Sequence, residues 1–187
     1  MKIFAHIIIL FSIFSACVTS NEKPNHDATI KNTETKTAKE FFEYDQIDHY
    51  FIDFNDKDLL ELIEKKPLSP LDSLKNITII GEAPQNIKDT FFVDKLKKIG
   101  YTKRTLSKVK HSEVDNIFRE KQVNEIIATS CVYIYRDILI FKRNNKNVGI
   151  AKICFDCMAN KIVGTNANTE SFGQNGDYEK LKQLLQN

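Results

Sequence analysis

Apolar and polar positions alternate most clearly between Cys131 and Cys157, and we take this stretch as the organising element of the chain. From Val132 to Ile140 the residues are largely β-branched or aromatic, and Val148 to Phe155 repeats the pattern. Lys142 to Asn147 supplies charge and two adjacent asparagines, which tolerate the positive φ of a tight turn. The pattern predicts a hairpin of two long antiparallel strands.

The register of this hairpin predicts which cysteines meet. If the turn centres near Asn144, positions whose numbers sum to about 288 face each other, so Cys131 falls opposite Cys157 or within a residue or two of it. A disulfide between these two would leave Cys154 as a thiol. The competing pair, Cys154 with Cys157, would require a tight turn at Phe155 and Asp156.

Shorter runs with helical or strand periodicity fill the rest of the domain. They predict a strand over Glu40–Phe54 and helices over Lys57–Lys65, Ile87–Ile99, Ser112–Glu120 and Tyr178–Leu185, with caps at Asn55 or Asp56, at Gly100 and at Asp177. Extended pieces are expected at Tyr101–Leu106 and Ile162–Val163, whereas Leu71–Ala83 suits a strand or a helix. Because helices and strands mix without alternating βαβ units, we expect an α+β domain with a mainly antiparallel sheet.

The start of the chain has a different pattern. Met1 and Lys2 precede an apolar run from Ile3 to Phe14 that is too short to span a bilayer, and Ser15-Ala16-Cys17 follows. This arrangement resembles a bacterial lipoprotein signal, although leucine is usual at the position of Phe14. The resemblance implies a signal peptide over residues 1–16 and a lipid on Cys17, through which the protein would bind a membrane. The alternative is a plain secretory signal followed by a chance cysteine.

Composition divides the remaining chain into a tether and a domain. Residues 17–39 contain no aromatic side chain and predict a lipidated cysteine followed by a disordered tether, with a reach of roughly 25 Å. Residues 40–187 are numerous enough for one domain with its own core. The chain of 187 residues has 27 Lys and Arg against 25 Asp and Glu, and removing Lys2 leaves 26 against 25. This near-neutral balance argues against a nucleic-acid partner.

The most distinctive chemical motif is Ile153-Cys154-Phe155-Asp156-Cys157. Its cysteine spacing suits a redox pair or half of a zinc site, but a redox pair usually begins a helix and zinc usually takes four ligands. With Cys17 lipidated, only Cys131, Cys154 and Cys157 remain as thiols. A disulfide staple is the favoured interpretation for an exported domain. Zinc binding and redox exchange stay open.

A second candidate is Tyr135-Arg136-Asp137, which the pattern places in the middle of the first hairpin strand. Neighbours on a strand point to opposite faces, so Arg136 and Asp137 are not expected to pair with each other. Arg136 opposite Lys152 would bring two like charges together, and a ligand or the carboxylate of Asp156 is a better partner. We therefore treat four residues as candidate binding residues, with a solvated outer face as the alternative. They are Tyr135, Arg136, Asp137 and Asp156.

No phosphate-binding glycine loop, nucleophile elbow or metal-binding His-Glu cluster occurs in the sequence, and we expect no cofactor. His49 and His111 are isolated and are interpreted as ordinary packing or surface residues. The block from Cys131 through the Ile153–Cys157 motif to Phe172-Gly173-Gln174 and Gly176-Asp177-Tyr178 resembles a family of small lipoproteins from Bacteroidota-type bacteria. The resemblance implies a shared fold and no particular function.

These features predict a non-enzymatic binding or structural domain at the cell envelope, lipid-anchored on the periplasmic side or the outer surface. Its partner would be a protein or a small molecule. The alternative function is a thiol-redox or metal-binding protein that uses Cys131, Cys154 and Cys157.

Overall fold

The structure is a computed structural model that describes residues 38–89, 92–122 and 130–186. Its strands are β1 (Gln46–Phe51), β2 (Thr102–Thr105), β3 (Asp137–Arg143), β4 (Lys146–Cys154) and β5 (Ala159–Val163). They form one antiparallel sheet in the order β2-β1-β3-β4-β5. The helices are α1 (Asp56–Glu64), α2 (Pro70–Lys75), α3 (Phe92–Lys98), α4 (His111–Ile117) and α5 (Asp177–Gln186). The predicted α+β class is confirmed.

Strands β3 and β4 form the expected hairpin. Asn144 and Asn145 occupy its turn with φ angles of 51° and 63°, the left-handed conformation that a two-residue hairpin turn needs. Asp137 pairs with Ile153 at the far end, and the register shifts once between Phe141 and Lys142. The predicted hairpin is therefore present, but its first strand begins at Asp137 and the prediction of a strand from Val132 is wrong.

The residues before β3 leave the sheet because their polar groups find other partners. The amide of Tyr135 donates to the carbonyl oxygen of Ile79 at 2.8 Å, and the amide of Ile134 donates to the sulfur of Cys154 at 3.4 Å. Cys154 in turn lies opposite Ala159 of β5. Tyr135 and Arg136 are thus outside the strand, and Lys152 lies opposite Ile138, not Arg136.

Capping chemistry sets the helix ends much as the sequence predicts. Asn55 caps α1, its side chain accepts from the amides of Lys57 and Asp58, and Asp58 reaches back to the Asn55 amide. Gly100 follows α3 with a φ of 109°, a conformation that favours glycine at a helix end.

Several predicted boundaries are wrong by a few residues. The first strand covers only Gln46–Phe51, α3 begins at Phe92, and α4 covers His111–Ile117. Asp177 is the first residue of α5, not its cap, and the undecided segment Leu71–Ala83 contains most of α2 and a π-helical turn over Asn76–Ile80. None of the helices in the described ranges has the length and apolar character that a membrane span requires.

Helices cover both faces of the sheet, and each face has its own hydrophobic cluster. The face under α4 and α5 carries Ile47, Leu139, Phe141, Ala151 and Ile153. The face under α1 and α3 carries Tyr50, Ile52, Ile138, Ile140 and Ile150. Since alternate residues of β1 point to opposite faces, His49 lies on the α4 and α5 face, next to Ile47.

Candidate functional site

A cleft of about 480 Å³ opens where β1 and β2 approach the last turns of α5. The start of β3 and the turn that follows β4 form its other wall. The lining residues are His49, Phe51, Thr102, Lys103, Arg104, Ile134, Arg136, Asp137, Phe155, Asp156, Lys182, Leu185 and Gln186. Apolar walls with a few fixed polar groups are typical of small-molecule sites, so we take this cleft as the candidate functional site.

A chain of three side chains crosses the floor of the cleft. His49 Nε2 lies 2.7 Å from Asp137 Oδ1, and Arg104 Nε donates to His49 Nδ1 at 3.2 Å. His49 and Asp137 are only 5% and 9% exposed, whereas Arg104 lies exposed on the edge strand β2. Two buried groups thus hold one exposed guanidinium in position.

The direction of these bonds determines the state of the histidine. A guanidinium can only donate, so His49 Nδ1 must accept and carries no proton. Nε2 then carries the proton and donates it to the Asp137 carboxylate. Both ring nitrogens of the neutral imidazole are occupied, and neither is available to take a proton from a substrate. The arrangement suits positioning of Arg104 better than acid–base chemistry.

One wall of the cleft depends on Arg136. Its Nη1 donates to Asp156 Oδ2 at 2.6 Å, and its Nε donates to the carbonyl oxygen of Phe54 at 2.6 Å. Of the partners that the sequence left open for Arg136, a ligand or the carboxylate of Asp156, the structure shows Asp156. This bond ties the segment before β3 to the turn after β4.

The disulfide ties the same two segments. Cys131 and Cys157 are joined, with their Cα atoms 6.2 Å apart, and Cys154 is a buried free thiol. This is the predicted pairing, although neither bonded cysteine lies in a strand, so the register on which it was predicted does not reach them. Because two of the three sulfurs bond each other, the alternative of a three-thiolate zinc site does not fit this structure.

Tyr135 is the predicted binding residue that does not reach the cleft. It is 1% exposed and packs beside Cys154 and Cys157. Its backbone carbonyl oxygen accepts a hydrogen bond of 2.5 Å from the hydroxyl of Tyr101. Burial raises the pKa of Tyr101, and the nearby charge of Asp137 raises it further, so this donor stays protonated.

A second buried carboxylate balances part of the positive charge at the cleft. Asp48, on the other face of β1, lies 2.8 Å from Lys103 Nζ and 2.5 Å from Lys142 Nζ. Burial raises its pKa, but hydrogen bonds from Lys103, Lys142, Thr105 and Gln46 outweigh that effect and lower the pKa to about 2. The bond to Asp48 raises the pKa of Lys103, whose charge is therefore already paired with that carboxylate.

Sequence patterns located three of the residues that line the cleft. Arg136, Asp137 and Asp156 line the cleft as candidate binding residues, whereas His49 was interpreted as an isolated packing residue and Arg104 was not singled out. Within the described ranges, no group of three His, Cys, Asp or Glu residues is placed to hold a metal ion. Cys17 lies outside the described residues, so its lipidation stays a prediction.

Comparisons with known proteins found no match for this chain among family models, curated proteins or solved structures.

Proposed function

We propose that this protein is a ligand-binding domain held at the cell envelope by a lipid on Cys17. The observation that carries the binding function is the cleft, where the buried pair His49 and Asp137 fixes the exposed Arg104 between apolar walls. A polar group that is fixed before the ligand arrives loses little freedom on binding, which favours affinity.

Binding is a better interpretation than catalysis for this geometry. A hydrolytic site pairs a nucleophile with a base that can accept its proton. In this cleft, His49 already accepts from Arg104 and donates to Asp137, and Thr102 donates its hydroxyl to the carbonyl oxygen of Phe51 at 3.1 Å. The candidate base and the candidate hydroxyl are thus both engaged elsewhere.

The anchor is proposed from the sequence. Ser15-Ala16-Cys17 after an apolar run supports lipidation, and the polar residues up to 39 would hold the domain clear of the membrane surface. The cleft would then meet small molecules or exposed groups at the envelope.

A substitution that fills the cleft tests the binding function. Thr102 is exposed and lines the cleft, so Thr102→Trp fills the cleft without entering the core. Gln183→Trp, on an exposed position of α5 outside the lining, is the matched control. We expect the neutral dye Nile red to bind the purified wild type and Gln183→Trp at one saturable site, and Thr102→Trp to lose that binding. Failure of the wild type to bind, or equal binding by Thr102→Trp, would overturn the proposal.

A further inference from the structure

The bonds of Arg104 leave one part of its guanidinium for a ligand. His49 Nδ1 occupies Nε at 3.2 Å, and Asp137 holds His49 from the other side at 2.7 Å. The two Nη groups therefore lie at the outer end of this series of hydrogen-bonded side chains, on a residue that is itself exposed at the cleft. Two parallel N–H donors on one rigid plane match the two oxygens of a carboxylate.

The charges of the cleft indicate how large an anion it can take. Arg136 bonds Asp156, and Lys103 bonds Asp48. In the described part of the chain, no ion pair joins a carboxylate to Arg104 or to the exposed Lys182 of α5. These two side chains are the cations that a ligand could neutralise.

Negative groups at the same cleft limit the charge of the ligand. Asp137 and Asp156 both line the cleft, and α5 ends there with the carbonyl groups of its last turn, the negative end of the helix dipole. A phosphate monoester carries nearly two charges and would be repelled by these groups, whereas a carboxylate carries one.

We propose that the ligand is a monocarboxylate whose other end is apolar. The carboxylate would bind the Nη groups of Arg104, and the apolar end would lie against Phe51, Phe155 and Leu185, which line the same cleft. Phe51 is 42% exposed, so its ring offers the cleft an apolar surface that a ligand can contact. This inference rests on the proposed binding function and names its ligand class.

Competition between matched probes tests it. Octanoate and octanamide share a chain and differ in charge, and both would be titrated against bound Nile red. We expect octanoate to displace the dye at a concentration about ten times lower than octanamide, as one charge-assisted fork predicts. Acetate, which lacks the chain, and inorganic phosphate should displace much less.

Variants assign that preference to Arg104. Arg104→Gln should remove the preference for octanoate over octanamide, and Arg104→Lys should lose most of that preference because lysine cannot form the two-pronged hydrogen bond of a guanidinium. Lys97→Gln removes one exposed charge on α3, outside the cleft, and should keep the preference.

The outcomes separate this inference from the proposed function. Equal displacement by octanoate and octanamide would overturn the inference that the ligand carries a carboxylate. The proposed binding function, which rests on Nile red binding to the wild type, would still stand. A preference that survives in both Arg104 variants would overturn the role of Arg104. Stronger displacement by phosphate or acetate would overturn the ligand class. Loss of Nile red binding in the wild type would instead overturn the binding function itself.

Discussion

Lys152 Nζ lies 4.2 Å from the centroid of the Tyr135 ring, and both side chains are closed off from solvent. The same ammonium group donates to the carbonyl oxygens of Gly81 at 2.6 Å and Ala83 at 2.8 Å. A lysine on the central part of the sheet thereby holds the loop before Pro84 onto β4. Within the residues that the structure describes, the amine is satisfied by carbonyl dipoles and a ring, without a carboxylate in direct contact.

This burial predicts an alkaline rise in stability. Burial lowers the pKa of Lys152 to about 7, and the charge of Glu82 opposes that effect only in part. Below about pH 7 the amine is protonated in both the folded and the unfolded state, so the folded protein bears the full cost of burying the charge. As pH rises from 7 towards the unfolded pKa near 10.5, the folded amine is neutral and the folded state no longer bears that cost. The free energy of unfolding of the wild type should rise over that window by about 1 kcal/mol per pH unit relative to Lys152→Met. Urea unfolding at pH 7 and pH 9.5 measures it, and parallel curves for the two proteins would contradict it.

Asp48 should stabilise the fold from neutral pH down to mildly acidic pH. Asp48→Asn removes the charge that Lys103 and Lys142 share, and we expect a loss of roughly 2 kcal/mol at pH 7. Because the folded pKa is depressed to about 2, the wild-type advantage is complete above pH 4 and disappears as pH falls towards 2. Asp53→Asn, an exposed neighbour, is the control and should change little. An advantage that persists at pH 2 would show that Asp48 acts through packing alone.

The disulfide should contribute to stability and to the cleft wall. Replacing Cys131 and Cys157 together by serine opens a loop with a sequence separation of 26 and should lower the unfolding free energy by roughly 3 kcal/mol. Cys154→Ser should keep the bridge. Peptide mapping without reduction must recover the Cys131 and Cys157 peptides joined, and a link between Cys154 and Cys157 would contradict the structure.

A side chain at Gly149 should destabilise the fold. A methyl group added there would overlap the ring of Phe42, which is buried against β4. We expect Gly149→Ala to lower the unfolding free energy by about 1 to 3 kcal/mol. Combining it with Phe42→Leu should recover part of that loss, as a double-mutant cycle would measure. Strictly additive losses would argue against direct contact.

Lipidation of Cys17 should decide where the protein resides. Cys17→Ser removes the acceptor sulfur, and we expect the variant to leave the membrane fraction for the soluble fraction. Ser15→Ala leaves the cysteine in place and is the control. A Cys17→Ser protein that remains with membranes to the same degree would rule out the lipid anchor.

Elements whose determinants lie close together in the chain could be predicted from the sequence. Asn55 and Asp58 cap α1 within one turn, and Asn144 and Asn145 make the hairpin turn by themselves. The strand predicted from Val132 failed for the opposite reason. Its alternation is real, but the Tyr135 amide bonds Ile79, which lies far away in the sequence.

The candidate site was harder to predict because its contacts are long-range. His49 and Asp137 are 88 residues apart, and they meet only because β1 pairs with β3. Arg104 lies on a strand of four exposed residues that shows no apolar alternation. No local pattern could therefore connect these three residues.

The strand order has a kinetic consequence. Strands β3, β4 and β5 follow one another in the chain, whereas β1 reaches β3 only after a long loop has closed, as in the pairing of His49 with Leu139. Closing that loop costs entropy before any contact is gained, so the three-strand meander should form first and β1 and β2 should dock later. Pulse-labelled hydrogen exchange during refolding would then protect the β4 amides before those of β1. The cleft would be completed in that final step, and a nascent chain could hold no ligand until its slowest pairing is made.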